Sequence, residues 1–357
     1  MRHRSRARWL VAALALGCAG CPKRGPVPSE SFAIDEGFDP EAHRWRGLVA
    51  EGDTIYFGTL RSVATNGGAL RTVSEDPRCS GRSTIAKTPR WTYWSCQDGG
   101  APLGKLMRLR PGAPPEAILP RYFSGAAMAG DAGGLWIAGS IGQLPSGAAE
   151  RSGIFRLADD DDAKPELVAK EDGAAVENAR ITTDAETVFW IRYGTFAKVE
   201  PAIMATSKKD GATRVLATQA GTYPTAIAVS GTDVYFGGKV GDSQGLARVP
   251  KAGGPVTLVA GPKASGEARR ITRITDYEGL VFGTRYAYWV TGCSGHFLKG
   301  VPCEASGAGR ADLTTGAVAL LSSPHDIAGP VKTGGFVYWA EQPRAGERWT
   351  LHRVREE

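Results

Sequence analysis

The sequence predicts an all-β fold, a seven-bladed β-propeller of four-stranded antiparallel blades in which an N-terminal strand closes the last blade. Three observations predict it. An aromatic pair or its equivalent recurs seven times at a mean interval of about 47 residues. Short alternating strands with tight turns surround each pair, and windows with the three-four spacing of an amphipathic helix are nearly absent.

The seven pairs mark one strand in each repeat. Successive side chains point to opposite faces of a strand, and neighbouring blades of a propeller cover both faces. We therefore expect both members of each pair to be buried. No eighth pair is present, so the sequence predicts seven blades, with a degenerate eighth blade as the alternative. The pairs are Tyr56-Phe57, Tyr93-Trp94, Leu135-Trp136, Phe189-Trp190, Tyr235-Phe236, Tyr288-Trp289 and Tyr338-Trp339.

The fifth repeat shows the four strands of a blade most completely. Its alternating segments are Ala226 to Val229, Val234 to Gly237, Gly245 to Val249 and Val256 to Ala260. Gly-rich turns join the first pair and the last pair of these segments, as in antiparallel hairpins. The repeat is therefore a four-stranded meander.

The seventh repeat lacks a fourth strand before the chain ends. The segment Ser31 to Asp35 precedes the first repeat and can supply it. Pairing the two ends of the chain in one blade removes exposed sheet edges. We therefore assign residues 31–357 to the propeller and predict that the N-terminal strand closes it.

The first residues have the organisation of a signal peptide. Four arginines up to Arg8 form a basic region, and Trp9 to Leu16 form an apolar one. The apolar run is about 8 residues, far short of the roughly 20 that a membrane-spanning helix needs. Residues 1–17 are assigned to the signal peptide, or 1–20 if the later of two cysteines is the modified one.

Small residues precede both cysteines in the segment that follows, Leu14 to Cys21. This segment resembles the lipobox of bacterial lipoproteins, which implies a diacylglycerol on Cys18, with Cys21 as the alternative. An ordinary secretory cleavage site stays open as a second interpretation. Residues 18–30 are rich in Pro, Gly and charge, a composition typical of a flexible tether.

The charge of the chain changes once the signal peptide is removed. Of 43 basic residues 39 remain, against 37 acidic ones, so the net charge is near +2 and the high pI reflects the signal. No cluster of Lys and Arg with interleaved aromatic residues marks a nucleic-acid surface. We expect no nucleic-acid partner.

The remaining cysteines form two local pairs, Cys79 with Cys96 and Cys293 with Cys303. In an oxidising compartment such pairs indicate disulfides, each worth about 2 to 3 kcal/mol for a short loop. Zinc is the alternative, but neither pair has C-x-x-C spacing. We expect no metal and no cofactor.

Candidate catalytic residues are few. His43, His296, His325 and His352 are dispersed along the chain, and we expect surface histidines. A metal site formed by His296 with His325 is the alternative. The run Asp159 to Asp162 predicts a solvated hairpin turn, with a calcium site as the alternative.

One segment, Gly241 to Gly245, matches the G-x-S-x-G pattern of a nucleophile elbow. Such an elbow needs a strand before it and a helix after it. Here a predicted strand follows. The sequence therefore indicates a polar loop, and we assign no catalytic residue.

The repeat, from Leu48 to Val354, resembles the bacterial propeller repeats related to YWTD and NHL propellers. The likeness implies the fold. Its Tyr-Trp pair matches half of the YWTD tetrapeptide, and no repeat carries Thr-Asp behind it, so the ligands of that family do not carry over. Export, lipid and fold are also similar to those of propeller lipoproteins that scaffold outer-membrane assembly.

Function is expected in the irregular loops, because the blades are repetitive. The longest second-to-third-strand loops are Gly139 to Ser152, Arg192 to Pro201 and Thr291 to Gly309, which emerge on one rim. We expect a monomeric, non-enzymatic binding or scaffold module, lipid-anchored to the outer membrane, whose rim binds an envelope protein or glycan. The alternative is a channel-centred enzyme, a metal-dependent hydrolase or lyase.

Overall fold

The computed structural model describes fifteen parts of the chain, and the statements below apply to them. These are residues 29–33, 47–57, 61–73, 84–97, 104–143, 149–171, 176, 180–192, 200–218, 226–240, 243–260, 277–291, 307–322, 326–342 and 349–357.

The described strands form seven four-stranded antiparallel blades, numbered here in chain order, as the sequence predicts. Blade 1 contains β2 (Leu48–Glu51), β3 (Thr54–Phe57), β4 (Arg61–Ala64) and β5 (Arg71–Thr72). Blade 2 contains β6 (Ile85–Lys87), β7 (Thr92–Gln97), β8 (Gly104–Leu109) and the first half of β9 (Glu116–Asp131). Blade 3 contains the second half of β9, β10 (Gly134–Gln143), β11 (Ala149–Leu157) and β12 (Glu166–Lys170).

The last four blades follow the same order. Blade 4 contains β13 (Ile181–Thr183), β14 (Thr187–Arg192), β15 (Ala202–Ser207) and β16 (Thr213–Thr218). Blade 5 contains β17 (Ala226–Ser230), β18 (Asp233–Val240), β19 (Ser243–Pro250) and β20 (Thr257–Ala260). Blade 6 contains β21 (Tyr277–Phe282), β22 (Tyr286–Thr291), β23 (Gly307–Asp312) and β24 (Val318–Leu320). Blade 7 contains β25 (Asp326–Thr333), β26 (Phe336–Gln342), β27 (Thr350–Arg355) and β1 (Glu30–Ala33).

The blades close into a ring. The first strand of each blade lies on the inside, and these inner strands contact one another in sequence, with β2 of blade 1 beside β25 of blade 7. The N-terminal strand β1 is the outermost strand of blade 7, where Phe32 pairs with Leu351 in β27. The predicted closure is confirmed for Ser31 to Ala33, whereas Ile34 and Asp35 lie outside the described residues.

Seven apolar clusters fill the seven interfaces between neighbouring blades. Every predicted aromatic pair lies on the second strand of its blade, so its two side chains enter two different interfaces. Full burial of one such side chain is worth about 1.5 to 3 kcal/mol. Five tryptophans are among the largest fully buried side chains: Trp94, Trp136, Trp190, Trp289 and Trp339.

The pair in blade 3 lies one residue later than predicted. In blades 2 and 4 the second member, Trp94 or Trp190, faces the preceding blade. In blade 3 Trp136 faces the following blade, and Ile137 faces the preceding one. The structural equivalent of the other pairs is therefore Trp136-Ile137, because alternation along a strand fixes the face of each side chain.

The ring has two different faces. We call the face with the first-to-second-strand and third-to-fourth-strand turns the latch face, and its turns in blade 4 are residues 184–186 and 208–212. The opposite face, the loop rim, carries the second-to-third-strand loops and the connections between blades. The expected irregular loop Gly139 to Ser152 is shorter than predicted, because β10 and β11 pair as far as Gln143 and Ala149.

Ser243 to Gly245 of the G-x-S-x-G segment lie at the loop rim of blade 5, where they begin β19. Val240 at the end of β18 pairs with Ser243 at the start of β19, and β19 continues to Pro250. A strand therefore follows the serine, as predicted from the sequence, where a nucleophile elbow would require a helix.

Candidate functional site

The aspartate run joins blade 3 to blade 2 on the latch face. Thr88 Oγ1 donates a hydrogen bond to Asp159 Oδ1 at 2.5 Å, and the backbone N–H of Arg90 donates to Asp159 Oδ2 at 3.1 Å. The Arg90 guanidinium reaches Asp161 Oδ1 at 2.7 Å. The first and third aspartates therefore bind donors of the neighbouring blade.

Arg108 of blade 2 is the centre of this contact, and its side chain is only 6% exposed. Its Nε donates to Glu116 at 2.6 Å, and its two Nη atoms donate to the carbonyls of Asp160 and Asp161 at 2.9 and 2.6 Å. Its guanidinium also lies 4.0 Å from the centre of the Trp91 ring. Asp160 to Asp162 are exposed, as expected of a solvated turn. The same turn also joins the two blades, because guanidinium groups of blade 2 bind the backbone carbonyls of Asp159 to Asp161 and the Asp161 carboxylate.

This contact also affects a buried phenol. Tyr93 lies in the interface between blades 2 and 3. Burial, reinforced by the negative charge of Asp159, raises the pKa of Tyr93 to about 12. Tyr93 therefore stays protonated at neutral pH.

A lysine joins blade 4 to blade 3 on the same face. Lys208 Nζ contacts the Asp131 carboxylate and the carbonyl of Asp184. Asp131 Oδ2 also accepts hydrogen bonds from Trp136 Nε1 and Thr183 Oγ1, both at 2.9 Å. Burial alone raises the pKa of Asp131, but the hydrogen bonds from Lys208, Gly133 and Thr183 outweigh it, so the pKa is lowered.

The same arrangement recurs one blade further on. Lys251 Nζ of blade 5 lies 2.6 Å from Asp184 Oδ2 of blade 4. Burial raises the pKa of Asp184, but hydrogen bonds from Lys251 and from two backbone N–H groups lower it by more. With the corrected alignment of blade 3, Asp131 and Asp184 occupy equivalent positions. The corresponding residues between blades 5 and 6 are Ser230 and Leu313, which cannot form the charged pair.

Two glycines let the turns of the latch face pack closely on the preceding blade. Gly211 and Gly316 have φ values of +72° and +69°, which disfavour other residues. A Cβ on Gly211 would lie 2.3 Å from the carbonyl oxygen of Val168, and a Cβ on Gly316 would lie 2.6 Å from that of Val259. Both carbonyls belong to the outer strand of the preceding blade.

The C-terminal residues replace the missing turn of blade 7. The backbone N–H of Arg285 in blade 6 donates to the Glu357 carbonyl at 3.0 Å, and Lys332 pairs with Glu356 at 2.8 Å.

An aspartate of blade 6 on the same face has a lowered pKa. Asp312 accepts backbone hydrogen bonds from Thr315 and Thr314 and pairs with Arg285. The hydrogen bond from the backbone N–H of Thr315 is the largest of the causes that lower the pKa of Asp312 to about 2.

Near the ring axis, charged side chains on the described inner strands also have partners. Glu51 at the end of β2 pairs with Lys87 at the end of β6, with Oε1 and Nζ 2.8 Å apart. Asp131 at the end of β9 is held by Lys208. These charges lie at the latch-face ends of their strands.

One histidine–carboxylate pair lies nearer the loop rim, in the interface between blades 6 and 7, with the carboxylate buried and the histidine half-buried. His352 Nε2 lies 2.7 Å from Glu341 Oε1, and the imidazole stacks on Trp339 with ring centres 5.4 Å apart. His352, which is expected at the surface, is half-buried in this interface, with its side chain 16% exposed. His352 lies on the same face of β27 as Val354, which is buried between blades 6 and 7, and this spacing of two residues is the sequence signal that could have indicated its position.

Most predicted modification sites lie outside the described residues. Cys96 is buried in β7 at 2% exposure. Lipidation and both disulfides stay predictions. The candidate site residues that lie outside the described residues are Cys18, Cys21, Cys79, Cys293 and Cys303, together with His43, His296 and His325.

The described residues contain no group of three or more His, Cys, Asp or Glu placed to hold a metal ion. Within the same parts of the chain, no helix has the length and apolar character needed to cross a membrane.

Comparisons by sequence and by structure gave different results. No protein-family model matches the chain. The search of curated proteins also gave no match. Solved structures match along most of the chain at low sequence identity.

Several of these structures have TM-scores above 0.5, among them the following three. Oligogalacturonate lyase from Vibrio parahaemolyticus is 11% identical with a TM-score of 0.58, and the match covers 93% of this chain and 98% of the lyase. The AfRom2 CNH domain is 12% identical with a TM-score of 0.53, covering 92% and 100%. A prolyl endopeptidase is 12% identical with a TM-score of 0.57, covering 88% of this chain and 48% of that one. At these identities the likeness shows the β-propeller fold alone.

Proposed function

We propose that the chain is an exported lipoprotein whose β-propeller binds a protein or glycan partner in the cell envelope through its loop rim, without catalysing a reaction. The lipid is carried on Cys18 or Cys21 and anchors the chain to the outer membrane. The disulfides Cys79–Cys96 and Cys293–Cys303 belong to the same proposal, because they suit an oxidising compartment.

The observation that carries this proposal is the difference between the two faces. On the latch face, turns of neighbouring blades bind one another between blades 2 and 3, 3 and 4, 4 and 5, and 6 and 7. Their charged groups are committed to holding the ring. The long loops of the sequence all leave from the loop rim, where the scaffold constrains them least.

The enzyme alternative is supported by the likeness in fold to a lyase and an endopeptidase. A channel-centred enzyme needs titratable groups free to meet on the axis. Glu51 and Asp131, the carboxylates of inner strands whose side chains are described, are paired with lysines. His352 is stacked between blades. These pairings favour the binding module.

In-cell photocrosslinking tests the proposed binding face. A photoreactive phenylalanine replaces Thr218, an exposed residue at the loop-rim end of β16, or Lys209, an exposed residue of the latch-face turn in the same blade. We expect adducts with an envelope component from position 218 and few from position 209. Adducts confined to position 209, or equal from both, would contradict the proposal.

Lipidation is tested separately by labelling cells with an alkyne fatty acid. The wild-type chain is expected to carry the label, and the double variant Cys18→Ala with Cys21→Ala is expected to lose it. The two single variants identify the modified cysteine. A wild-type chain that takes up no label would refute the anchor and leave a secreted propeller.

A further inference from the structure

From the direction of β1 we propose that the latch face is turned toward the lipid bilayer and that the loop rim points away from it. This inference rests on the proposed lipid anchor and adds the orientation of the propeller. It assigns the bilayer as the neighbour of the latch face and leaves the loop rim accessible to partners that are not embedded in that membrane.

The direction of β1 follows from its pairing. Glu30 pairs with Arg353 and Ala33 pairs with Thr350 at the other end of the ladder. Arg355 pairs with Phe336, which directly follows the first turn of blade 7, so the C-terminal end of β27 lies at the latch face. The chain therefore enters β1 from the latch face and leaves it at the loop rim.

Side-chain contacts fix β1 in this position. Arg353 binds the Glu30 carboxylate through Nη2 at 2.5 Å and Nε at 2.9 Å. Its guanidinium lies 4.8 Å from the centre of the Phe32 ring and 4.4 Å from that of Phe336. Phe32 packs against the apolar cluster between blades 7 and 1. The end of the proposed tether is thus attached to the rigid ring at a defined point.

The proposed tether is short, so its attachment point determines which face of the ring lies near the lipid. From Cys18 to Ser29 there are 11 residue steps, which as a flexible chain have a root-mean-square length of about 20 Å. The six residues of β27 span about 20 Å. The tether thus holds the latch face near the lipid, whereas the loop rim lies about one propeller thickness further away.

The charged groups of the latch face do not by themselves indicate strong binding to the bilayer. Its lysines and arginines are mostly paired with carboxylates of an adjacent blade, as with Lys251 and Asp184, or of the same blade, as with Lys332 and Glu356. A polybasic surface, which would attract anionic lipids directly, is therefore not formed by these groups. The tether supplies the orientation.

Energy transfer to labelled lipids tests the orientation on the full lipidated chain. A donor dye is attached through p-azidophenylalanine at one of four exposed positions, and the protein is reconstituted into vesicles that contain headgroup-labelled acceptor lipid. Blade 1 provides Asn66 at the latch face and Thr72 at the loop rim, and blade 4 provides Lys209 and Thr218 as the matched pair.

We expect the transfer rate from Asn66 and Lys209 to exceed that from Thr72 and Thr218 by about twofold or more, because the two faces lie about 20 Å apart. Equal rates within each pair would mean that the ring stands on its edge, and higher rates from Thr72 and Thr218 would mean the reverse orientation. Either result overturns the inference.

Fatty-acid labelling of the same samples separates the two proposals. A chain that carries lipid and shows the wrong order of transfer rates refutes the orientation alone. A chain that carries no lipid refutes both the proposed anchor and the orientation built on it.

Discussion

Replacing Arg108 by methionine tests whether the aspartate run is a structural contact between blades. Arg108 makes hydrogen bonds to Glu116, Asp160 and Asp161, and its side chain is nearly inaccessible. A hydrogen bond with a charged partner contributes about 1.5 to 3 kcal/mol. Because truncation also leaves carbonyls of blade 3 without their donor, we expect Arg108→Met to lower the free energy of unfolding by about 3 to 5 kcal/mol.

Arg110 is the matched control, two residues further along the chain. Its side chain is 50% exposed, and its Nη1 lies 3.6 Å from Asp161 Oδ2. Exposed ion pairs contribute about 0 to 1 kcal/mol, so we expect Arg110→Met to cost about 1 kcal/mol or less. Arg108→Lys keeps the charge but cannot reach three acceptors with the fork of a guanidinium, and it should fall between the two.

The measurement is urea unfolding followed by tryptophan fluorescence, with the slope of the transition as a check on the extent of unfolding. Equal losses for Arg108→Met and Arg110→Met would refute the reasoning. Calcium addition should leave the wild-type midpoint unchanged, because the carboxylates of Asp159 and Asp161 are already bound by Thr88, Arg90 and Arg110. A rise in the midpoint with calcium would restore the metal-site interpretation of the run.

Three further predictions concern the latch face. Lys208→Met should cost about 1.5 to 3 kcal/mol, and combining it with Asp131→Asn should cost less than the two single losses together, as a double-mutant cycle by urea unfolding will show. Asp312 has a lowered pKa of about 2, so its stabilising contribution is complete above about pH 5 and is lost as the pH falls toward 2; Asp312→Asn should therefore flatten the fall in midpoint over that range. Gly211→Ala should destabilise the fold by at least about 1 kcal/mol more than Gly231→Ala, because both glycines have positive φ and only Gly211 has a carbonyl in the way of a Cβ.

The architecture was predictable because its signals are local in the chain. Alternation within short segments indicates strands, and seven aromatic pairs indicate seven second strands. The closing strand followed from counting, since the seventh repeat had three strands and Ser31 to Ala33 had no other assignment. The pair in blade 3 was misplaced by one residue because Leu135 and Trp136 are both large, and only the packing shows which interface each enters.

The latch contacts could not be predicted because their partners lie in different blades. Arg90 and Asp161 are 71 residues apart, and the sequence around the aspartates alone suggests only a polar turn. The sequence does contain a weak signal for the two lysine–aspartate contacts. Lys208 and Lys251 each directly follow the third strand of a blade, and Asp131 and Asp184 occupy equivalent positions at the first turn.

The environment of His352 could not be predicted for the same reason, because its partners lie on another strand. His352 was one of four scattered histidines, and type and spacing alone favoured the surface. Its environment depends on Glu341 and Trp339, which lie on the neighbouring strand of blade 7. Alternation on β27 would have indicated the buried face, whereas the identity of the partner carboxylate required the register of the hairpin.

Hydrogen exchange in β1 tests the central claim most directly, because the closing strand links the proposed tether to the ring and sets its orientation. In the full chain, the peptide containing Glu30 to Ala33 should exchange as slowly as the outer strand β16 is expected to, since β1 pairs with β27 and Phe32 packs between blades. Exchange of that peptide at the rate of an unstructured chain, while β27 stays protected, would contradict the account.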